Sequence, residues 1–295
     1  RYHGRDGELP VSTLRNENAA CRAWVEAAQQ YGLPANGDFN GETTLGVGAY
    51  HLSIGRRFRA SAAAAFLRPA LKRPNLTLIT KALVSRVEIE HGRATGVTWT
   101  RKGQSHSYQI RLLLKLNQKI SLNDDVRNPL KLAKMGLDWL AKGTGPLTVG
   151  AGQVGGGACT RYATEGRPDI QFNVMPLSVD KPGTPLHHYS GFTASFWQCH
   201  PESRGAVHIQ SSDPARQPRI APNYLSTPLD RAVMVDGVRI LRDIHEQKAF
   251  RPLWDRENVI GADRQSDAQI LDAIRTQGGT VFHPVGTCRM GSDSG

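Results

Sequence analysis

The sequence predicts an α+β fold, in which helices and strands occupy separate stretches and the larger sheet is mainly antiparallel and backed by helices. Three observations support this fold class. Residues 17–31 repeat apolar side chains at helical spacing, whereas residues 169–174 and 191–198 alternate as half-buried strands do. Thr227-Pro228 then supplies a hydroxyl N-cap and a first-turn proline, which together mark the start of a long helix.

Two helices are predicted before residue 75. The first covers residues 17–31, and Gly32 is a natural C-terminal cap for it. The second covers residues 60–72, where consecutive alanines favour a helix and Pro74 ends it.

After residue 75 the spacing of apolar residues changes from that of a helix to that of strands. Residues 76–80 and 83–89 are predicted strands, and a turn at residues 91–93 leads to a third strand at residues 96–100. The later two strands and the turn between them form a predicted strand-turn-strand unit.

From residue 109 to about 277 we expect an antiparallel sheet with helices packed on one side. Residues 131–142 are predicted to be helical and residues 205–210 to be a strand, and Ser266 to Gln269 is a capping box for a last helix expected to end at Gly278. The glycine-rich stretch 151–157 is predicted to be a flexible loop, because no strand-to-helix context surrounds it.

Composition narrows the function classes. No run of about 18 apolar residues occurs in the 295, so no membrane span is expected. The four cysteines are scattered without a C-x-x-C pair, which argues against a zinc site and fits a reducing compartment. We therefore expect a cytoplasmic protein with no metal, with peripheral attachment to a membrane left open. The first residue is Arg1, which suits a fragment.

Positive charge is concentrated between Glu42 and Glu88, where eight cations occur without an acid. The cluster would attract phosphate, whether in nucleic acid, lipid or a dinucleotide. Alternatively, it is a solvated face or a face whose acidic partner lies in missing sequence. Only Phe58 and Phe66 interleave with the cations, so no nucleic-acid partner is expected.

The segment from Phe282 to Gly291, Phe-His-Pro-Val-Gly-Thr-Cys-Arg-Met-Gly, carries the strongest functional signal. Pro284 biases His283 towards an extended conformation, and an imidazole is suited to accept a proton near neutral pH. The segment resembles the active-site segment of the glucose–methanol–choline (GMC) flavin oxidoreductases. Further blocks resemble that family in its own order: Asp38 to Gly41, Gly46 to Gly48, Phe66 to Pro69, Arg73 to Thr77, Pro201 to Gly205 and Pro222 to Leu225.

The resemblance implies FAD as cofactor, His283 as the catalytic base and backbone contacts from Val84 to the adenine side of FAD. Within the family the chain is most similar to choline dehydrogenases and acceptor-linked alcohol dehydrogenases, which implies oxidation of a primary alcohol to the aldehyde by an unknown electron acceptor. The main pyrophosphate-binding motif of FAD would lie outside this chain, as would the second catalytic His or Asn, beyond Gly295.

The resemblance also implies a division into a partial FAD-binding domain (1–108), a substrate domain (109–277) and a truncated return segment (278–295). Near Tyr108-Gln109 the sequence departs from the family, and either an internal deletion or omitted residues account for the junction. Five side chains are expected to line the pocket that faces the flavin: Gln171, Phe172, Asn173, Phe196 and Trp197. Two alternatives stay open, a non-catalytic remnant of such an enzyme and a basic protein that binds nucleic acid or an anionic surface.

Overall fold

A computed structural model of the protein describes residues 2–55, 58–78, 83–100, 109–148, 150, 152–164, 166–181, 183–213 and 216–281, with the backbone alone for 83–88 and 94–100. The helices are α1 (Ala19–Tyr31), α2 (Arg68–Ala70), α3 (Leu122–Arg127), α4 (Pro129–Lys142), α5 (Pro228–His245) and α6 (Asp267–Gln277). The strands are β1 (Gly46–Ala49), β2 (Leu83–Glu90), β3 (Arg93–Thr100), β4 (Ile110–Leu116), β5 (Val154–Ala158), β6 (Ile170–Met175), β7 (Gly191–Gln198), β8 (Ala206–His208), β9 (Arg219–Ala221) and β10 (Trp254–Glu257).

Six strands form one central sheet in the order β1-β5-β6-β7-β4-β10, and every neighbouring pair is antiparallel. The hairpin β2–β3 and the short pair β8–β9 form two further sheets. The α+β class with a mainly antiparallel sheet is therefore confirmed.

Helices α1, α5 and α6 pack on one face of the central sheet and enclose the hydrophobic core. The edge of the Trp24 ring meets Phe172 at 5.7 Å between ring centroids. Gly237 lets α5 approach β7 closely, because a Cβ at this position would lie 2.3 Å from the Phe196 ring. Cores packed at this density tolerate little added volume.

The capping signals in the sequence correspond to real helix ends. Gly32 ends α1 in the left-handed conformation, with φ of 115°. The Thr227 side chain caps α5, and the Ser266–Gln269 capping box starts α6. Helix α4 begins two residues earlier than predicted, at Pro129, because the Asn128 side chain accepts hydrogen bonds from the first turn.

One predicted helix and two predicted strands are shorter in the structure than expected or lack regular structure. The helix predicted over 60–72 is a π-helical turn (Ala63–Leu67) that leads into the three-residue α2, and none of its residues is buried. The strand predicted over 205–210 is reduced to β8, which is exposed. Residues 76–78 have no regular structure, and residues 79–80 lie outside the described part of the chain.

The glycine-rich stretch is not a loop, and this prediction was wrong. Gly155, Gly156 and Gly157 form the centre of β5, a fully buried strand between β1 and β6. A Cβ on Gly156 would lie 1.8 Å from the Gly46 carbonyl oxygen, and one on Gly157 would lie 2.5 Å from the Thr44 carbonyl oxygen. Hydrophobic periodicity cannot detect a strand whose residues have no side chains.

Gly156→Ala is therefore expected to destabilise the chain by about 3 kcal/mol, near the upper end of the usual cost of overpacking, because β1 must move away from β5. Gly136→Ala is the matched control, since a Cβ there meets no atom within 4 Å and alanine suits a helix interior better than glycine. Urea unfolding followed by circular dichroism measures both. A Gly156→Ala chain that unfolds at the wild-type midpoint would show that β5 is not packed as described.

Helix α5 ends in an unusual buried residue. The His245 side chain is fully buried and packs against the Phe250 and Trp254 rings, at centroid distances of 5.5 and 6.3 Å. Within the described part of the chain neither ring nitrogen has a hydrogen-bond partner. Burial, and to a smaller extent the nearby Arg242 guanidinium, lowers the pKa of His245 to about 3, so the ring is neutral in the folded protein.

Candidate functional site

The central sheet has one face packed on helices and a second, more polar face. Along β6 the side chains of Ile170, Phe172 and Val174 are fully buried, whereas the intervening Gln171 and Asn173 are half-buried on the opposite face. Register places Gln171 beside Trp197 of β7. Three of the five predicted pocket residues, Gln171, Asn173 and Trp197, therefore share the polar face.

The other two predicted pocket residues do not belong to that face. Phe172 and Phe196 are 0% exposed, and both side chains belong to the core under the helices. The side chains of a strand point alternately to opposite faces of the sheet, so neighbouring residues such as Gln171 and Phe172 cannot line the same pocket.

Tyr50 joins the polar face from the end of β1. Its hydroxyl donates a hydrogen bond to the Phe172 carbonyl oxygen at 2.5 Å, and its ring lies 5.3 Å from that of Phe39. The glycines of β5 make room for it, because a Cβ on Gly155 would lie 2.4 Å from the Tyr50 hydroxyl. Burial raises the pKa of Tyr50, and the Gln171 side chain partly offsets that effect. Tyr50, Gln171, Asn173 and Trp197 are called the sheet-face cluster below.

Sequence reasoning did not single out Tyr50, although the stretch Gly46 to Gly48 shortly before it was recognised. Tyr50 could be recognised only from the pairing of β1 with β5. That pairing brings together residues more than 100 positions apart. Once β5 is known to be a strand of glycines, a large side chain is needed to cover it, and Tyr50 meets that need.

A second arrangement brings two sequence motifs together around one carboxylate. Asp230 of α5 is 1% exposed, and its carboxylate accepts hydrogen bonds from the backbone N–H of Glu202 and of Ser203, both at 2.8 Å, and from the Ser203 hydroxyl. Burial alone would raise the pKa of the Asp230 carboxyl, but these hydrogen bonds hold it below its ordinary value. The carboxylate thus fixes the turn at Pro201 to Gly205.

The same turn holds the loop Pro222 to Leu225. The Asn223 side-chain amide donates to the Arg204 carbonyl oxygen at 3.1 Å, and the Ser226 N–H donates to the Ser203 hydroxyl at 3.0 Å. Gly205 is required here, because a Cβ would lie 2.4 Å from the Ala221 carbonyl oxygen. Asp230, the turn 201–205 and the loop 222–226 are called the Asp230 hub below.

Of the two site residues named from sequence, Val84 alone belongs to the described part of the chain. Val84 lies in β2, where it pairs with Trp99 of β3 and precedes a register shift. His283 lies outside the described residues, the last of which is Val281. The chain leading to His283 is held by an antiparallel bridge between Gln109, just before β4, and Gly279.

The described residues lack two kinds of feature. No group of three or more His, Cys, Asp or Glu side chains among them is arranged to hold a metal ion. No helix in the same residues has the length and apolar character needed to cross a bilayer.

Curated relatives match nearly the whole chain. An acceptor-linked alcohol dehydrogenase of Pseudomonas putida is 30% identical over 346 residues, covering 99% of this chain and 62% of the relative. An oxygen-dependent choline dehydrogenase of Citrobacter koseri is 32% identical over 352 residues, covering 99% of this chain and 62% of the relative. Human mitochondrial choline dehydrogenase is 30% identical over 345 residues, with 100% and 58% covered.

The chain thus spans about three-fifths of the length of these relatives. The alignment with the Pseudomonas putida protein runs over 346 positions whereas the chain has 295 residues, so at least 51 positions within the matched range have no counterpart here.

Solved structures show the same fold. The structure of an Aspergillus oryzae formate oxidase variant superposes with a TM-score of 0.81 at 17% identity, covering 96% of this chain and 63% of the other. An FAD-dependent oxidoreductase from Chaetomium thermophilum gives a TM-score of 0.77 at 16% identity, with 93% and 63% covered.

Family models cover both ends of the chain. The N-terminal model of the GMC oxidoreductases matches residues 2–134, and the C-terminal model matches residues 201–295. Together with the curated relatives, these matches show that the chain belongs to the GMC oxidoreductase family.

Proposed function

We propose that this chain is the alcohol-binding part of an FAD-dependent oxidoreductase that oxidises a primary alcohol, choline-like or aliphatic, to the aldehyde. The match of the C-terminal family model to residues 201–295, which include His283, carries the proposal. FAD supplies the hydride acceptor when it is bound. His283 takes the hydroxyl proton of the alcohol, and a base of this kind typically contributes about 10²–10⁴-fold to the rate.

The described residues fit the flavin ring of FAD better than they fit its pyrophosphate. The sheet-face cluster offers amide groups from Gln171 and Asn173, and aromatic surface from Tyr50 and Trp197, which suits a flat ring with polar edges. In our proposal these residues bind and orient the alcohol beside the flavin ring. The backbone of Val84 in β2 would contact the adenine side, with residues 1–108 as a partial FAD-binding domain, 109–277 as the substrate domain and 278–295 as the return segment.

The pyrophosphate of FAD has no matching site among the described residues. Dinucleotides are normally held by a glycine-rich turn between a strand and a helix. The glycine triplet of this chain lies inside β5, and the backbone of β1 occupies the space beside it. The group that binds the pyrophosphate would therefore belong to sequence outside this chain.

Absorbance of the full-length gene product tests the proposed function. The purified protein is expected to be yellow with about one flavin per chain, and anaerobic addition of choline or a primary aliphatic alcohol is expected to bleach the flavin band. A flavin-loaded protein that no such alcohol reduces would overturn the proposed substrate class, and a protein without flavin would overturn the proposal as a whole.

The 295-residue chain alone is expected to bind FAD poorly, because the residues that would hold the pyrophosphate are missing. Titration calorimetry should give no saturable binding tighter than about 1 μM. Saturable binding with sub-micromolar affinity and one site per chain would contradict this expectation.

A second candidate is a non-catalytic remnant of such an enzyme. The observation that favours it is the absence of at least 51 positions that the Pseudomonas putida relative contains within the matched range. A gene that encodes these 295 residues and no more, with a colourless product that stays folded, would support the remnant.

A further inference from the structure

Helix α4 is amphipathic in the reverse sense, because an apolar row of side chains points away from the protein. Met135 is its one buried residue. Leu130, Ala133, Leu137 and Leu140 follow one another at intervals of three and four residues, which places them on one face, about 140–160° around the helix from Met135. The three leucines are 82%, 66% and 59% exposed. These four residues are called the α4 apolar face below.

The α4 apolar face belongs to a complete helix. The Asn128 side chain caps its start, and Gly143 ends it in the left-handed conformation. Single exposed leucines are common on protein surfaces, whereas a continuous exposed row marks contact with another molecule or with a membrane.

Positive charge lies along one side of this face. Lys131, Lys134 and Lys142 each have about half or more of the side chain exposed. They pair with Asp125 or Asp138, whose side chains are less exposed. Exposed ion pairs of this kind are weak, so the ammonium groups are free to exchange these carboxylates for lipid phosphates. Their long stems meanwhile lie along apolar surface.

A basic segment, residues 58–73, lies beside α4. The Phe58 ring meets the Trp139 ring of α4 edge to face, at 5.6 Å between centroids. The segment contains no acid, and neither the π-helical turn nor α2 within it has a buried residue. Its cations are all exposed: Arg59, Arg68, Lys72 and Arg73. None of the four forms an ion pair with another residue of the described chain.

We propose that the α4 apolar face and the basic segment together bind the surface of an anionic phospholipid bilayer. Exposed leucines beside unpaired cations match a bilayer surface, which offers acyl chains next to negatively charged headgroups. A helix of 14 residues is about 21 Å long, too short to cross the hydrocarbon core, so α4 would lie along the surface.

The charge of this surface disfavours a second copy of the chain as its occupant. A two-fold contact presents the same surface from both sides, and the unpaired cations of the basic segment would then face like charges. An anionic bilayer pairs with these cations instead.

Leu137→Gln with Leu140→Gln in the full-length protein tests the apolar part of the surface. Both side chains are exposed, so the double variant should keep the wild-type unfolding midpoint in urea. Its binding in sedimentation with vesicles of phosphatidylcholine and about 30% phosphatidylserine should fall about 100-fold, since burial of each leucine is worth about tenfold. Ile209→Gln is the matched control, because Ile209 is 89% exposed and lies outside this surface.

Arg68→Gln with Arg73→Gln tests the basic part. Each cation near an anionic membrane is worth about fivefold, so binding at about 0.05 M salt should fall about 20-fold. The difference should shrink at about 0.5 M salt, where the charges are screened. Arg219→Gln with Arg275→Gln removes the same charge from two other exposed positions and should bind within about twofold of wild type.

Four results would overturn the proposal. The full-length protein stays in the supernatant with these vesicles at low salt; the leucine double variant binds like wild type; vesicles of phosphatidylcholine alone bind equally well; or light scattering without lipid shows a dimer that the leucine double variant dissociates. Sedimentation needs no flavin, and no residue of this surface belongs to the sheet-face cluster, so the outcome is independent of the proposed reaction.

Discussion

His283→Ala in the full-length enzyme is expected to lower turnover by about 10²–10⁴-fold, the usual contribution of a general base. In the proposed reaction the alcohol loses its hydroxyl proton to His283 as the hydride leaves, and alanine cannot accept that proton. Substrate affinity should change much less, because the base acts on the transition state more than on the bound alcohol. The rate of anaerobic flavin bleaching, measured by stopped flow over a range of alcohol concentrations, separates the two quantities.

His208→Ala is the control for this experiment. His208 is an exposed residue of the short strand β8, so its loss should leave both the bleaching rate and its concentration dependence at wild-type values. A His283→Ala enzyme that turns over within a factor of about two of wild type would remove His283 from the role of base.

Acid is expected to destabilise the fold through His245. The pKa of His245 is about 3 in the folded protein against an ordinary value of 6.5, so between these two pH values the unfolded chain binds one more proton. The titration of His245 therefore leaves the free energy of unfolding unchanged above pH 6.5. Below pH 6.5 the free energy of unfolding decreases as the pH falls. Each pKa unit corresponds to about 1.4 kcal/mol, which gives a loss of about 2 kcal/mol by pH 5 and about 5 kcal/mol near pH 3.

His245→Phe tests this account because it keeps an aromatic ring beside Phe250 and Trp254 and removes the titration. Between about pH 7 and pH 5, the free energy of unfolding in urea should fall by about 2 kcal/mol less in His245→Phe than in wild type. At neutral pH the variant should be at least as stable, since the buried ring nitrogens without partners in the described structure are gone. His208→Phe, at an exposed position, should keep the wild-type pH dependence; equal slopes in all three proteins would refute the role of His245.

The sequence identified those parts of the fold that local chemistry determines. Gly32 ends α1 and the Ser266 capping box starts α6, as expected. Both signals depend only on conformations and hydrogen bonds of residues within about four positions. The helix predicted over residues 60–72 is only partly formed. A run of alanines favours a helix but contributes little surface to bury, and neither the π-helical turn nor α2 has a buried residue.

Elements that depend on distant partners were harder to predict. The glycines of β5 carry no periodic signal, and only the closeness of β1 explains why side chains are excluded there. Alternation identified β6 as a strand, yet it could not say which face meets the helices, and Phe172 was assigned to the pocket for that reason. The Asp230 hub joins residues 27 and 28 positions apart, a spacing that no local pattern reports.

The glycine strand limits how substrate preference could be altered by protein engineering. Positions 155, 156 and 157 accept no larger residue without displacing Tyr50 or the backbone of neighbouring segments. Under the proposal that the sheet-face cluster binds the alcohol, a mutant library aimed at a new alcohol would gain nothing from varying these three glycines. Under the same proposal, the positions to vary are Gln171, Asn173 and Trp197, whose side chains lie on the polar face of two adjacent strands.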